Sequence, residues 1–167
     1  MKKYLIYSIF ILFLSCNTKT TENLPIEFTA KVIGVKDGDT VEVLYNKKPV
    51  IIRLEHIDCP EKKQPFGKKA KLFVSDLIFG KNVKIISKGK KDRWKRVIAV
   101  IETIDGRNIN KELVKNGLAM HFKKYSKDMS YDKIEVQAKK QKIGMWQQEN
   151  VIEPWNYRKS RKKKKKN

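Results

Sequence analysis

Between residues 28 and 57 three short β-forming runs are separated by two tight-turn signals. That spacing confines the start of the domain to a closely folded antiparallel meander. Residues 28–35 are rich in β-branched side chains and run into Asp37-Gly38, a strong turn dipeptide. Residues 40–45, Thr-Val-Glu-Val-Leu-Tyr, alternate with period two. Asn46-Lys47-Lys48-Pro49 marks the second turn, and residues 50–57 form the third run. Two later apolar runs, 83–87 and 97–102, flank a charged loop over 88–96 with six Lys or Arg in nine residues.

Three helices complete the pattern. Over residues 67–79, Ala70, Phe73, Val74, Leu77 and Ile78 recur at helical spacing, with Gly80 as a closing residue. Residues 109–116 form a short helix with Leu113 and Val114 inward, closed by Gly117. Residues 131–142 form the third, with Ser130 as candidate N-cap and Gly144 as candidate C-cap. Five strands with interspersed helices give an α+β chain whose expected architecture is a five-stranded barrel of the OB type. An open α+β sheet is the alternative the pattern leaves. There is no internal repeat.

At 167 residues one domain is expected, and 40% hydrophobic residues suffice for a packed core. The formal charge of +21 favours polyanions: nucleic acid, anionic lipid or acidic polysaccharide. At the N-terminus, Lys2 and Lys3 precede an apolar run of eleven residues, 4–14. This is too short to span a bilayer and suits a signal-peptide core. It ends in Phe13-Leu14-Ser15-Cys16, which resembles a bacterial lipobox. Residues 1–15 are therefore expected to be a lipoprotein signal peptide, and Cys16 the lipidated residue. A polar tether would follow over 16–25 and the folded domain over 26–157. The basic segment 158–167, with eight Lys or Arg among residues 158–166, is expected to be disordered. The signal peptide and the lipidated Cys16 lead to the expectation of an exported protein anchored to the cell envelope. With Cys16 lipidated, Cys59 has no disulfide partner, and two cysteines with two histidines argue against a Cys/His zinc site.

The chemistry-bearing residues lie at strand ends. Asp39 follows the first turn, and Arg53, Asp58 and Glu61 fall within nine residues at the end of the third run. Asp39 and Asp58 are candidate ligands of a hard cation such as Ca²⁺, which takes oxygen donors, and Cys59 is a candidate through its backbone carbonyl. Glu61, placed on a rim by Pro60, is a candidate proton acceptor for a bound water. Read alone, Asp37-Gly38-Asp39 is an ordinary turn and Glu61 an exposed loop residue. Arg53 interrupts an apolar run, and Arg96 directly precedes one. Each arginine needs either an acidic partner across the sheet or a phosphate. Arg93 and Trp94 in the basic loop are candidate substrate contacts, Trp94 by stacking on a base or else by packing beneath the loop. His56 and His121 are read as structural.

Asp-Gly-Asp-Thr (37–40), Arg-Leu-x-x-Ile-Asp-x-Pro-Glu (53–61) and Asp-Arg-Trp-Lys-Arg (92–96) together resemble the staphylococcal nuclease family. Residues 108–119, Gly144-Met-Trp146 and Pro154-Trp155 continue the likeness, which spans roughly 28–158. The resemblance implies an OB barrel with three helices and a Ca²⁺-dependent phosphodiesterase that cuts DNA and RNA to 3′-phosphates. By motif position it makes Asp39 and Asp58 the metal carboxylates and Cys59 the carbonyl ligand. Glu61 becomes the general base, and Arg53 and Arg96 the phosphate clamps. The chain departs from the family pattern at Lys95, where glycine usually precedes the arginine; a positive φ there would be strained. Of the tyrosines that pack the nucleotide, only Tyr125 finds a match. A lipid-anchored monomeric nuclease acting on DNA and RNA is the leading expectation. The alternatives are a non-catalytic nucleic-acid-binding OB module and an envelope protein whose basic tail binds anionic membrane.

Overall fold

The computed structural model describes residues 24–164; Cys16, the expected signal segment and most of the tether lie outside the described residues. Five strands close into a barrel in the order β1-β2-β3-β6-β5. They are β1 (Glu27–Asp37), β2 (Thr40–Tyr45), β3 (Lys48–Leu54), β5 (Asn82–Lys91) and β6 (Val97–Thr103). The closed barrel is the architecture the strand pattern favours, and the open sheet is set aside. Closure comes from β3 and β6, which run parallel over only three register pairs, Ile52↔Val97 to Leu54↔Ala99. All other barrel pairs are antiparallel.

Strand alternation fills the interior. Val32, Val41, Val43, Ile52, Leu54, Ile85, Ala99 and Ile101 are all buried, as the period-two pattern requires. Asn46 and Lys47 both take positive φ, 47° and 60°, making the tight connection from β2 to β3. The strand β5 continues to Lys91, four residues past the expected end, with an irregular register between Ser87 and Lys91. The expected loop 88–96 therefore contracts to 92–96. Hairpin pairing with β6 supplies partners that local composition does not show.

Helix α1 (Gly67–Ile78) caps one end of the barrel through Ala70, Val74 and Ile78. Helix α2 (Ile109–Lys115) buries Leu113 and Val114. Asn110 ties it to the barrel: its side chain accepts from the Ile101 amide at 3.2 Å and donates to the Glu55 carbonyl at 2.9 Å. Helix α3 (Met129–Lys140) starts two residues earlier than expected because Asp128, rather than Ser130, is its N-cap, accepting from the Ser130 amide. Its C-cap is Gln141 rather than Gly144, which opens a separate 3₁₀ turn, Gly144–Gln147. Two short strands, β4 (Ile57–Asp58) and β7 (Met120–His121), pair antiparallel beside the barrel.

A fourth helix, α4 (Pro154–Lys164), occupies most of the segment expected to be disordered. Proline is well suited to a first helical position. The Trp155 ring stacks on Phe122 with centroids 5.2 Å apart, and the Tyr157 hydroxyl donates to the Lys63 carbonyl at 3.1 Å. These tertiary contacts order a stretch whose charge alone would keep it unfolded.

Gly67 is the close-packed point between α1 and the strand-to-helix connection. A Cβ there would stand 2.0 Å from the Glu61 carbonyl oxygen and 2.9 Å from that of Pro60. Gly67→Ala should therefore lower stability by about 1–3 kcal/mol through overpacking, read from the urea unfolding midpoint.

Candidate active site

The barrel's register puts the charged residues at one mouth. Thr40 of β2 lies opposite Arg53 of β3, which in turn pairs with Ile98 of β6. The Leu54 amide donates to the Asp39 carbonyl at 2.9 Å, fixing the turn that carries Asp39 beside Arg53. Asp58 arrives from the β4–β7 pair, where it faces Met120. Gly38 lets this turn sit against α1 and Cys59: a Cβ there would be 2.8 Å from the Ala70 Cβ and 3.0 Å from the Cys59 Sγ.

One arginine nitrogen joins the two aspartates. Arg53 Nη2 stands 3.1 Å from Asp39 Oδ2 and 2.8 Å from Asp58 Oδ1. Its Nη1 donates to the carbonyls of Leu54 (2.7 Å) and Ile57 (3.0 Å), so the backbone aims the guanidinium. The Cys59 amide donates to Asp39 Oδ2 at 3.0 Å. Cys59 thus contributes a backbone donor to the carboxylate, while its buried thiol is pushed well up in pKa, first by burial and then by Asp39.

Asp58 is 1% exposed at its side chain. Burial raises its pKa above the ordinary carboxyl value, against the hydrogen bond it receives from Arg158. Asp37 lies beside the same group. Burial, then the charges of Asp39 and Glu61, raise its pKa too, and its Oδ1 is buried without a hydrogen-bond partner.

Glu61 is held by a reciprocal turn: its amide donates to Gln64 Oε1 at 3.1 Å, and the Gln64 amide donates to its carbonyl at 2.7 Å. Gln64 also donates to the Ile152 carbonyl, which ties this turn to the segment leading into α4.

Arg158 of α4 completes the cluster. Its Nη2 donates to Asp58 Oδ2 at 2.7 Å, and its Nη1 donates to Glu61 Oε1 at 2.7 Å and to Asp58 Oδ1 at 3.2 Å. Burial works against its charge, but the bonds to Asp58 and Glu61 outweigh this and raise its pKa. The sequence reading missed this residue. The available signal was Trp155 and Tyr157 immediately before a basic run, two aromatics that a solvated tail has no use for.

Arg96 reaches the cluster indirectly. Its Nη1 donates to Thr40 Oγ1 at 3.3 Å, and Thr40 donates to Asp39 Oδ1 at 3.1 Å. Asp92 organises its loop, accepting from the amides of Trp94 (2.9 Å) and Arg96 (3.0 Å) and from Arg96 Nε (2.7 Å). Partial burial opposes ionisation of Asp92, and the bonds from Arg96 overcome it and lower its pKa. Lys95 adopts φ 63°, the left-handed backbone that the glycine departure anticipates. The loop keeps its shape with lysine there, at a steric cost of about 1–2 kcal/mol.

Trp94 is 62% exposed, with the Arg93 guanidinium 4.0 Å and that of Arg96 5.0 Å from its ring centroid. It lies outside the loop rather than beneath it. Tyr125 is 71% exposed and meets the edge of Phe122 at 4.9 Å. The two histidines share one hydroxyl: His56 Nδ1 and His121 Nε2 are each 2.9 Å from Ser126 Oγ, and their nearest carboxylates are Glu55 and Asp132 rather than Asp39, Asp58 or Glu61. That fits their structural reading.

Asp39, Asp58, Glu61 and the unpartnered Asp37 oxygen make an oxygen donor set of the kind a hard cation takes. In this structure guanidinium groups hold oxygens of Asp39, Asp58 and Glu61, and among the described residues no three acidic, histidine or cysteine side chains stand ready together as a metal cage.

Comparison with known proteins identifies the family. The profile of a family described as staphylococcal nuclease homologue matches residues 51–148, which carry Arg53, Asp58, Glu61 and Arg96. A Haemophilus influenzae protein named uncharacterized endonuclease is 38% identical over 162 residues, 96% of this chain and 88% of that protein. A Shigella flexneri protein named micrococcal nuclease is 34% identical over 146 residues, 81% of this chain and 83% of that one. An Escherichia coli protein named uncharacterized endonuclease is 35% identical over 128 residues, 77% of this chain and 83% of its own length. With its five-stranded barrel, its cluster of carboxylates and arginines, and these matches, the chain belongs to the staphylococcal nuclease family.

Proposed function

We propose that this protein is a calcium-dependent nuclease that hydrolyses phosphodiester bonds in DNA and RNA and leaves 3′-phosphates. The observation that carries the reading is the single Arg53 nitrogen within 3.1 Å of both Asp39 and Asp58, with Glu61 joined to Asp58 through Arg158. Carboxylates able to hold a cation and an arginine able to hold a phosphate thereby share one mouth of the barrel. The similarity to proteins named as nucleases supports the same reaction class.

Asp39 and Asp58 would hold Ca²⁺, which when bound supplies positive charge to a phosphate oxygen and acidity to a water. Glu61, fixed by Gln64 on the rim, orients the attacking water and takes its proton. Arg53 is aimed by two backbone carbonyls and brings a fixed positive charge to the phosphate side of the two aspartates. Arg96, braced by Asp92, adds a second charge on the Thr40 side. Both neutralise charge that grows on the phosphate as water attacks, where fixed donors act most strongly. Arg93, Trp94 and Tyr125 are exposed and available for nucleotide contacts, the rings by stacking on bases. The proposal extends to an exported monomer held at the cell envelope by lipid on Cys16, from its sequence context.

Three measurements test this reading. Excess chelator and Asp39→Ala should each abolish hydrolysis of single-stranded DNA while circular dichroism shows the fold intact. Full activity in chelator overturns the calcium assignment. Arg53→Lys and Arg96→Lys should each lower kcat on the order of 10²–10³-fold, the loss expected for one aimed donor, whereas Lys95→Gly should stay near wild type. Metabolic labelling with a palmitate analogue should mark the wild type and not Cys16→Ala; label that persists in the variant overturns lipidation there.

A further inference from the structure

Arg158 stands on the oxygens that the calcium reading assigns to a metal. It binds both oxygens of Asp58 and one oxygen of Glu61, at 2.7–3.2 Å. A divalent cation taking either Asp58 oxygen would lie beside a guanidinium that is itself fully charged. Asp58 already carries two guanidiniums, with both Arg53 and Arg158 on Oδ1, and a third cation on the same oxygens would meet the charge of both, so one guanidinium must give way.

The two arginines at Asp58 differ in how they are held. Arg53 is anchored by the backbone carbonyls of Leu54 and Ile57 and comes from a barrel strand. Among the described residues the guanidinium of Arg158 is bonded only to the carboxylates of Asp58 and Glu61, and its side chain is 39% exposed. Its helix is attached to the rest of the protein chiefly through Trp155 on Phe122 and Tyr157 on Lys63. The residues beyond, Arg161 to Lys164, are all exposed. Of the two, Arg158 is the one that can be exchanged.

We propose that Arg158 is a resident cation of the active site. It holds the carboxylates of Asp58 and Glu61 in place, and it must leave Asp58 before a divalent cation takes those oxygens. Arg158 thereby sets the cation concentration at which the site loads, and loading loosens α4. The inference rests on the calcium reading above.

Calcium titration calorimetry on the full chain, without substrate, tests it. Removing the competitor should tighten binding by the inverse of the fraction of molecules in which it is undocked. Arg158→Gln should therefore bind Ca²⁺ on the order of tenfold more tightly than wild type, roughly the value of one charge-assisted hydrogen bond. Lys163→Gln removes the same charge from an exposed position of the same helix and should change affinity less than about twofold, since exposed charges are screened. Hydrogen exchange supplies the second readout: amides of residues 156–164 in the wild type should exchange faster when Ca²⁺ is added. Equal Ca²⁺ affinity in wild type and Arg158→Gln, or unchanged exchange in α4 on loading, overturns the proposal. Should Arg158→Gln fold poorly, the exchange measurement on wild type decides alone. Failure of every variant, including wild type, to bind Ca²⁺ would instead overturn the calcium reading.

Discussion

A carboxylate with 1% of its side chain exposed must be ionically partnered or lose its charge, and Asp58 meets this demand with two guanidiniums. Much of the structure follows from that requirement. Arg53 can answer it because β3 carries the arginine to the barrel mouth and two backbone carbonyls hold it there. Arg158 can answer it only because α4 folds, and α4 folds onto Phe122 and Lys63. The cluster gathers Asp37, Asp39, Asp58 and Glu61 against Arg53 and Arg158, four anionic groups against two cationic ones. An excess of carboxylate in a partly buried site attracts a further cation. Burial first, and the neighbouring carboxylates after it, raise the pKa values of Asp37 and Asp58.

The precision of the site comes from the rigid parts around it. Parallel pairing of β3 with β6 closes the barrel and sets Arg53 beside Ile98. Asn110 braces the chain just past that seam, linking Glu55 to Ala99 and Ile101 through one amide. The short β4–β7 pair then delivers Asp58 from outside the barrel, and the close fit of Gly38 and Gly67 brings the Asp39 turn and the Glu61 connection against α1. Residues separated by up to a hundred positions meet on one carboxylate, as Asp58 and Arg158 do.

The 92–96 loop shows how local chemistry can absorb an unusual residue. Asp92 accepts from two amides and from the Arg96 guanidinium, so the loop is closed by its own hydrogen bonds. Those contacts hold Lys95 at φ 63° where glycine would be unstrained. Arg96 consequently stays directed at Thr40 and, through it, at Asp39.

Most of this was legible in the chain. Period-two runs between turn dipeptides gave five strands, helical spacing gave three helices, and Asp39, Arg53, Asp58, Glu61 and Arg96 could be named because their motifs are local. Strand and helix periodicity depend on near neighbours, so a sequence displays them directly. Three things needed the folded molecule. The extension of β5 to Lys91 depends on a cross-strand partner, Val97, that supplies its pairing. Barrel closure depends on parallel contact between β3 and β6, strands that are not neighbours in sequence. The order of α4, and with it the placement of Arg158 on Asp58 and Glu61, depends on rings and carboxylates far away in the chain. Composition reads the segment from residue 158 as a solvated basic tail because composition registers charge and not the buried acidic partner that neutralises it.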